Sequence, residues 1–345
     1  MNLDAVARYL THKFGEETRV KSCYQTFPGM SRETWFVFAE QGKRTTKDCN
    51  LVIRVNPPSG GGVPVPLEVE WGVYERLWGS PVPVAKPLWF DKEIDFAEGR
   101  AHMVRELVDG QTEVEGIDLP GEEGNRIRKR TAFKHAERLA QLHSLDWKSY
   151  GLDEVLPVPD SPGQSMRLEF ETWRQRWEEG KTDPFPIITE ALYWLEENLP
   201  TDTKQIALTK GNNGLGEEIW RDGEIVAMSD FELAALSDPA QDWAFSQGML
   251  QIHDREETLQ HYEEHAGFKI SRPTLAFCEL WMTFKAIVCL NSTLEGYLDG
   301  RDLRPVLANM GLGTSKRMES SLASVIGMDI QEAAAVITGR RRKNS

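Results

Sequence analysis

Over the first hundred residues the apolar positions fall in short β-rich runs. Thr34-Trp35-Phe36-Val37-Phe38, entered through the turn-forming cluster Pro28-Gly29-Met30-Ser31, predicts one strand. Leu51-Val52-Ile53-Arg54-Val55 predicts a second, stopped by Asn56-Pro57-Pro58, and the polar stretch 41–50 between them reads as a hairpin connection. Beyond Ser59-Gly60-Gly61-Gly62 the spacing changes: Leu67, Trp71, Tyr74 and Leu77 recur at helical intervals and predict a helix from Leu67 to Trp78. Pro81-Val82-Pro83 ends it, and two further strands are expected at 87–90 and 101–107. The order is strand pair, helix, strand pair.

From about residue 130 the pattern turns helical. Ala136, Leu139, Ala140, Leu142 and His143 place an amphipathic helix over 131–145, and further helices are expected at 170–179, 187–199, 239 to about 265, and 273 to about 297. A β-turn-β segment, 206–228, interrupts them. No internal repeat or long low-complexity tract appears. A small β-rich part followed by a larger helical one predicts an α+β fold with two lobes.

Composition changes little in this picture. The 345 residues suffice for two packed lobes, and 40% hydrophobic with 27% charged residues is ordinary for a globular chain. Neither a bilayer-crossing apolar run nor a basic-then-apolar leader is read, so a cytoplasmic protein without membrane partners is expected. The four cysteines (Cys23, Cys49, Cys278, Cys289) form no CxxC pair, and no zinc site is expected from them or from the seven histidines. A net charge of −14 argues against a nucleic-acid partner; it suits a cationic small molecule, or simply an acidic solubilising surface. The closing basic run Arg340-Arg341-Arg342-Lys343 reads as a solvated tail.

Three features carry candidate chemistry. Arg54 sits mid-strand among apolar residues, where a charge either finds a partner, for which Glu70 on the next helix is placed, or points outward. Leu208 to Trp220 runs from a strand end through a polar loop punctuated by Gly211, Gly214 and Gly216 into another strand. Asp230 follows the run Ile225–Met228 at a strand end, well placed to hold a divalent metal opposite that loop.

In this order the segments resemble the aminoglycoside phosphotransferase and choline kinase superfamily. The likeness is greatest to a bacterial branch similar to the kinase-like part of certain acyl-CoA dehydrogenases. Gly29-Met30-Ser31-Arg32-Glu33-Thr34-Trp35 resembles its nucleotide loop, Leu51–Arg54 its phosphate-contacting strand, and Val69–Tyr74 its pairing helix. Met103–Gly110 resembles the hinge, Leu139–His143 the helix below it, and Asp230-Phe231-Glu232 with Asp238 and Asp242 the metal segment and its support. The resemblance, over about residues 20–300, implies a protein-kinase-like fold that binds ATP or GTP with Mg2+. It implies an N-lobe at 1–105, a hinge at 106–112, a C-lobe at 113–310 and a C-terminal helix or tail at 311–345. It also implies nucleotide contacts from Ser31, Arg54, Glu70, Glu106 and Val108.

The catalytic loop departs from that pattern. Where the family reads His-Gly-Asp and then a metal-binding Asn, this chain has Lys210-Gly211-Asn212 and Glu217. An amide cannot take up a proton near neutral pH, so Asn212 is not the usual base. Two readings follow. Either the site is rearranged, with Asp230 and Glu217 holding magnesium and Lys210 and Asn212 facing the acceptor, or the chain binds nucleotide without turnover. A loose transition state needs positioning and charge more than a base, which keeps the first reading open. The acceptor is expected to be a small hydroxylated molecule, cationic or ring-containing. Tryptophans such as Trp173 and Trp177 either line its cleft or pack the core, and Asp242, Glu263 and Glu264 are acids available to grip it.

Overall fold

A computed structural model describes residues 2–26, 31–43, 46–57, 63–92, 97–182, 184–246 and 251–339. The chain opens with a helix, α1 (Leu3–Phe14), capped by the Asn2 side chain, which accepts from the Asp4 and Ala5 amides, and closed by Gly15 in the left-handed region. A five-stranded antiparallel sheet follows, built from β1 (Thr18–Gln25), β2 (Glu33–Gln41), β3 (Lys47–Val55), β4 (Pro87–Asp91) and β5 (His102–Glu106) in the order β1-β2-β3-β5-β4. Val6, Tyr9 and Leu10 of α1 pack on Val37, Ala39, Leu51, Ile53, Val55 and Val104, giving the sheet its own core. The remaining helix of this lobe, α2 (Leu67–Leu77), lies between β3 and β4 in sequence. Its Leu67, Val73, Tyr74 and Leu77 join the core of the helical lobe, so α2 ties the two lobes together.

The helical lobe contains α3 (Gly121–His143), α4 (Ser165–Gly180), α5 (Pro186–Glu197), α6 (Ala240–Phe245), α7 (Arg255–Ala266), α8 (Arg272–Leu298), α9 (Ser315–Ala323) and α10 (Ile330–Ile337). Two small antiparallel pairs break the helices: β6 (Ala207–Thr209) with β9 (Ala235–Ser237), and β7 (Glu218–Arg221) with β8 (Glu224–Met228). Single bridges from Val84 to Met228 and from Gln111 to Trp220 join the β7–β8 pair to the segments before β4 and after β5. The two-lobed kinase-like architecture is the one expected.

The differences are local. α1 and β1 were not foreseen. The helix expected from Thr131 begins at Gly121, because its first two turns are polar and carry no apolar period. The helix expected from 239 to about 265 is broken: α6 ends at Phe245, and Asp254 starts α7 by accepting from the Glu257 amide. α8 is long and apolar enough to cross a membrane, which the sequence reading missed; 72% of its most apolar window is buried, and it is the central helix of the C-lobe core. Leu322, Val325, Ala333 and Ala334 join that core too, so the segment from 315 to 337 packs with the C-lobe. Gly29, Met30, Ser59–Gly62 and the basic run at 340–343 lie outside the described residues.

Candidate active site

The loop from Lys210 to Glu217 leaves β6 and enters β7, and its base is fixed from below. Asp242 of α6 accepts from the Lys210 and Gly211 amides, each at 2.7 Å, and from His143 Nε2 at 2.9 Å. The His143 Nδ1 in turn accepts from the Tyr262 hydroxyl at 2.8 Å. Burial alone would raise the Asp242 carboxyl, but these donors hold it below its usual range. Gly211 turns the chain with φ of 78°, and a Cβ there would come within 2.5 Å of the Leu233 carbonyl oxygen. Asp242 is therefore a support for the loop, not a grip for the acceptor. Glu263 is likewise engaged, accepting from Arg272 at 2.8 Å and the Ile270 amide at 3.1 Å.

Above the loop, Arg54 points inward and meets three carboxylates. Its guanidinium lies 2.7 Å from Glu70 on α2, 2.9 Å from Asp230 Oδ1 and 3.4 Å from Glu232 Oε2. Thr34 and Met103 flank Arg54 in the sheet register, which turns alternate β3 side chains toward α2. Burial opposes the charge on Arg54, but the three acids hold it charged well beyond its ordinary range. The outward alternative for Arg54 is thereby removed, and the Arg54–Glu70 pair expected from sequence is present.

Asp230 is the centre of the cluster. Its backbone has φ of 65°, rare and strained for a residue with a Cβ, and its amide donates to the Tyr74 hydroxyl at 3.1 Å. Its second oxygen, Oδ2, accepts from Asn212 Nδ2 at 2.7 Å. Burial would raise Asp230, but the charges of Arg54 and Lys210 hold it below the usual carboxylate range. Glu217 hydrogen-bonds Asp230 and is pushed up to about 7, first by burial and then by the Asp230 charge. Glu232 is pushed up to about 8 for the same two reasons. Lys210 is fully buried, donates to the Asn212 carbonyl and lies 5.9 Å from the centre of the Phe231 ring. It is a cation folded into the loop, and its charge reaches both Asp230 and Glu217.

The structure thus gathers Arg54, Glu70, Lys210, Asn212, Glu217 and Asp230, drawn from both lobes. Glu106 sits apart at the end of β5, exposed and paired with Lys86 at 3.0 Å. The Val108 backbone makes no hydrogen bond to another described residue, unlike Leu107, whose amide donates to the Asn50 carbonyl. Ser31 precedes β2, half-buried; its carbonyl accepts from Arg32. Sequence reasoning passed over Arg32 and Glu232 as site residues. Arg32 is buried, donates to the Val65 carbonyl and lies in the field of Glu70 and Glu232. A charge next to a turn and an acid two positions after Asp230 were the available signals. Buried polar atoms without a partner concentrate here: Arg32 Nε, Arg54 Nε, Glu70 Oε2 and both side-chain polar atoms of Asn213.

Beside Leu233, three residues beyond Asp230, a hollow of about 260 Å³ opens between α2 and α4, lined by Val69, Leu156, Leu168, Trp173, Arg176 and Leu233 among others. Trp173 packs in the core and also lines this hollow, whereas Trp177 packs in the core. Arg176 lies 4.6 Å from the centre of the Trp173 ring and makes no hydrogen bond or ion pair with a described residue. Burial pulls its guanidinium below the ordinary range.

The phosphotransferase enzyme family profile matches residues 28–281, well over half of the chain. The chain belongs to the phosphotransferase enzyme family. Its relatives include the acyl-CoA dehydrogenase family member 11 proteins of Mus musculus, 28% identical over 339 residues, and of Gallus gallus, 25% identical over 289 residues. These matches cover 88% and 74% of this chain but only 42% and 36% of those proteins, so the chain spans less than half their length. Among solved phosphotransferase structures, a Ralstonia eutropha protein provisionally designated an aminoglycoside phosphotransferase superposes with a TM-score of 0.65 at 19% identity, over 94% of this chain and 98% of that one. Aminoglycoside phosphotransferase APH(4)-Ia, in a ternary complex with ADP and hygromycin B, gives 0.61 at 16% identity, over 94% and 100%. Macrolide 2'-phosphotransferase MphH of Brachybacterium faecium gives 0.55 at 20% identity, over 89% and 98%. At these identities the structural likenesses establish the fold.

Proposed function

We propose that this protein transfers the terminal phosphoryl group of ATP or GTP to a hydroxyl of a small molecule, through a loop whose carboxylate and amide have exchanged places. One observation carries the reading: Arg54, Glu70, Asp230 and Glu232 converge from β3, α2 and the segment after β8, with Asn212 and Glu217 on Asp230. Hard carboxylate oxygens suit Mg2+, and the partnerless atoms of Glu70 and Arg54 mark a place built for further ligands. Asp230 and Glu217 would hold the ion, which would neutralise phosphate charge. Arg54 and Arg32 supply fixed cations for the phosphates, and Lys210 adds a third from within the loop. The open Val108 backbone offers a donor and an acceptor to a base edge at the hinge. Asn212 orients the acceptor hydroxyl but takes no proton, which a loose transition state tolerates.

On this reading the acceptor would lie in the hollow beside Leu233. Its volume of about 260 Å³ lies below the ~300–1,000 Å³ of drug-sized sites, so an acceptor smaller than a macrolide fits. Arg176, which makes no hydrogen bond or ion pair with a described residue, favours an anionic group on it over the cationic one expected from net charge, and the Trp173 face still suits an apolar or ring-containing body.

A specific observation supports the alternative of binding without turnover: both Asp230 oxygens are already taken, Oδ1 by Arg54 and Oδ2 by Asn212. Thermal melting tests both readings. Mg2+ with ATP or GTP is expected to raise the melting temperature by several degrees, and Asp230→Ala to abolish the shift. Absence of any shift would sink both readings. Phosphate transfer to a hydroxylated acid supports the exchanged loop; a shift that needs no Mg2+ and brings no transfer supports the alternative.

A further inference from the structure

Away from the cleft, α3 and α7 pack side by side and bring together one carboxylate and two imidazoles. Glu137 of α3 and His261 and His265 of α7 each present a ligand atom, all within 4.8 Å of one another. The two histidines are one helical turn apart and so share a face. His261 Nε2 lies 3.1 Å from Glu137 Oε1, and its ring stacks on Phe133 at 4.0 Å with an interplanar angle of 15°. The centre of the His265 ring lies 4.2 Å from that of His261. His265 donates from Nδ1 to the His261 carbonyl at 2.7 Å, which fixes the tautomer with a bare Nε2. A histidine whose other nitrogen is anchored to a carbonyl is the form in which imidazole binds a metal. His265 also lies in the last turn of α7, where the helix dipole favours a cation.

We propose that Glu137, His261 and His265 form a binding site for a divalent first-row transition ion, Zn2+ foremost, that fastens α7 to α3. Two imidazole nitrogens and one carboxylate oxygen select Zn2+, Co2+, Ni2+ or Cu2+ over Mg2+ or Ca2+, which take oxygen ligands. Zinc ligands at about 2.1 Å in a tetrahedron stand roughly 3.4 Å apart, so small side-chain rotations close the set around an ion. Two contacts compete: His261 Nε2–H donated to Glu137, whose proton passes to Nδ1 when an ion binds, and Lys134, 3.1 Å from Glu137 Oε2; the same ammonium lies 3.2 Å from Glu224, a partner it keeps when an ion takes Glu137. Burial would raise Glu137, but the hydrogen bonds from Lys134 and His261 outweigh it, and the carboxyl stays below its usual range, ready as an anion. His265 is exposed, so water completes the coordination and the ion acts as a clamp on the C-lobe. The sequence expectation of no zinc site rested on spacing along the chain, which does not register a third ligand from another helix, 124 positions from His261. The site shares no residue with the Arg54–Asp230 cluster.

The test uses the full chain freed of metal with a chelator, Zn2+ followed by calorimetry and Co2+ by visible absorption. One equivalent of Zn2+ should bind and raise the melting temperature. His265→Ala, an exposed change that leaves the fold intact, should weaken binding by roughly tenfold or more, and Glu137→Gln should weaken it too. Asp230→Ala should leave it unchanged, and Mg2+ should not displace Co2+. No Zn2+ binding at millimolar concentration would overturn the proposal. So would binding that survives His261→Ala with His265→Ala, or that disappears in Asp230→Ala alone.

Discussion

Single residues decide what the cleft can hold. Asn212 and Lys210 are two of the three positions, with Glu217, that depart from the pattern the chain resembles, and neither is left loose: one donates to Asp230, the other is buried in the loop. Sequence spacing located both, but it gave no sign that Lys210 would fold back onto the Asn212 carbonyl, since that depends on the turn at Gly211. Arg176 was not legible at all. A charged residue on a polar helix face is ordinary, and only the placing of α4 across the hollow from α2 makes it a cation in a largely apolar lining, without a hydrogen bond or ion pair to another described residue. Arg176→Ala is expected to raise KM for an acidic acceptor by roughly tenfold or more, as loss of a charge-assisted hydrogen bond worth about 1.5–3 kcal/mol implies. KM for a neutral acceptor and the affinity for nucleotide should stay unchanged. Steady-state kinetics with a matched acid and amide pair measures this, and equal losses for both would refute the assignment.

At the scale of elements, the sequence disclosed strands and helices where apolar period was strong and failed where capping or tertiary contact does the work. β2, β3, α2 and α8 stood out by their apolar residues; α1 depends on the Asn2 cap and Gly15, and β1 on pairing with β2 across a polar surface. The site was readable because its residues lie at element ends that recur in a fixed order. Its support was less so: Asp242 looked available for substrate, yet α6 buries it under the loop. Asp242→Asn would turn an amide donor toward one of the groups that now donate to it. That change is expected to destabilise the fold by about 3 kcal/mol through lost charge-assisted hydrogen bonds, and to reduce transfer even with substrates saturating. Urea unfolding beside kcat measures both effects; unaltered stability would show that the loop does not depend on this carboxylate.

The whole molecule is joined at the point where Arg54 gathers acids from both lobes. Glu217 and Glu232, raised to about 7 and about 8 from an ordinary 4.5, bind protons in the folded chain that the unfolded chain has released. Their contribution is therefore complete below pH 4.5 and lost as pH rises toward 8. Arg54→Met removes the counter-charge, so its cost should be about 3–5 kcal/mol at alkaline pH and smaller in acid, where the same carboxyls are protonated. Unfolding at pH 5 and pH 8 checks this, and a cost independent of pH would contradict it. The same arrangement gives the cleft a reversible polarity. Arg32, Arg54 and Lys210 face Glu70, Glu217, Asp230 and Glu232. In mildly acid solution, with two of those acids neutral, the cations prevail, and under the proposed function polyphosphate is expected to be favoured there. Above pH 8 the acids outnumber them and the field favours dications. Around neutrality the two attractions balance, so under the proposed function an anion and its metal are expected to enter together rather than either alone.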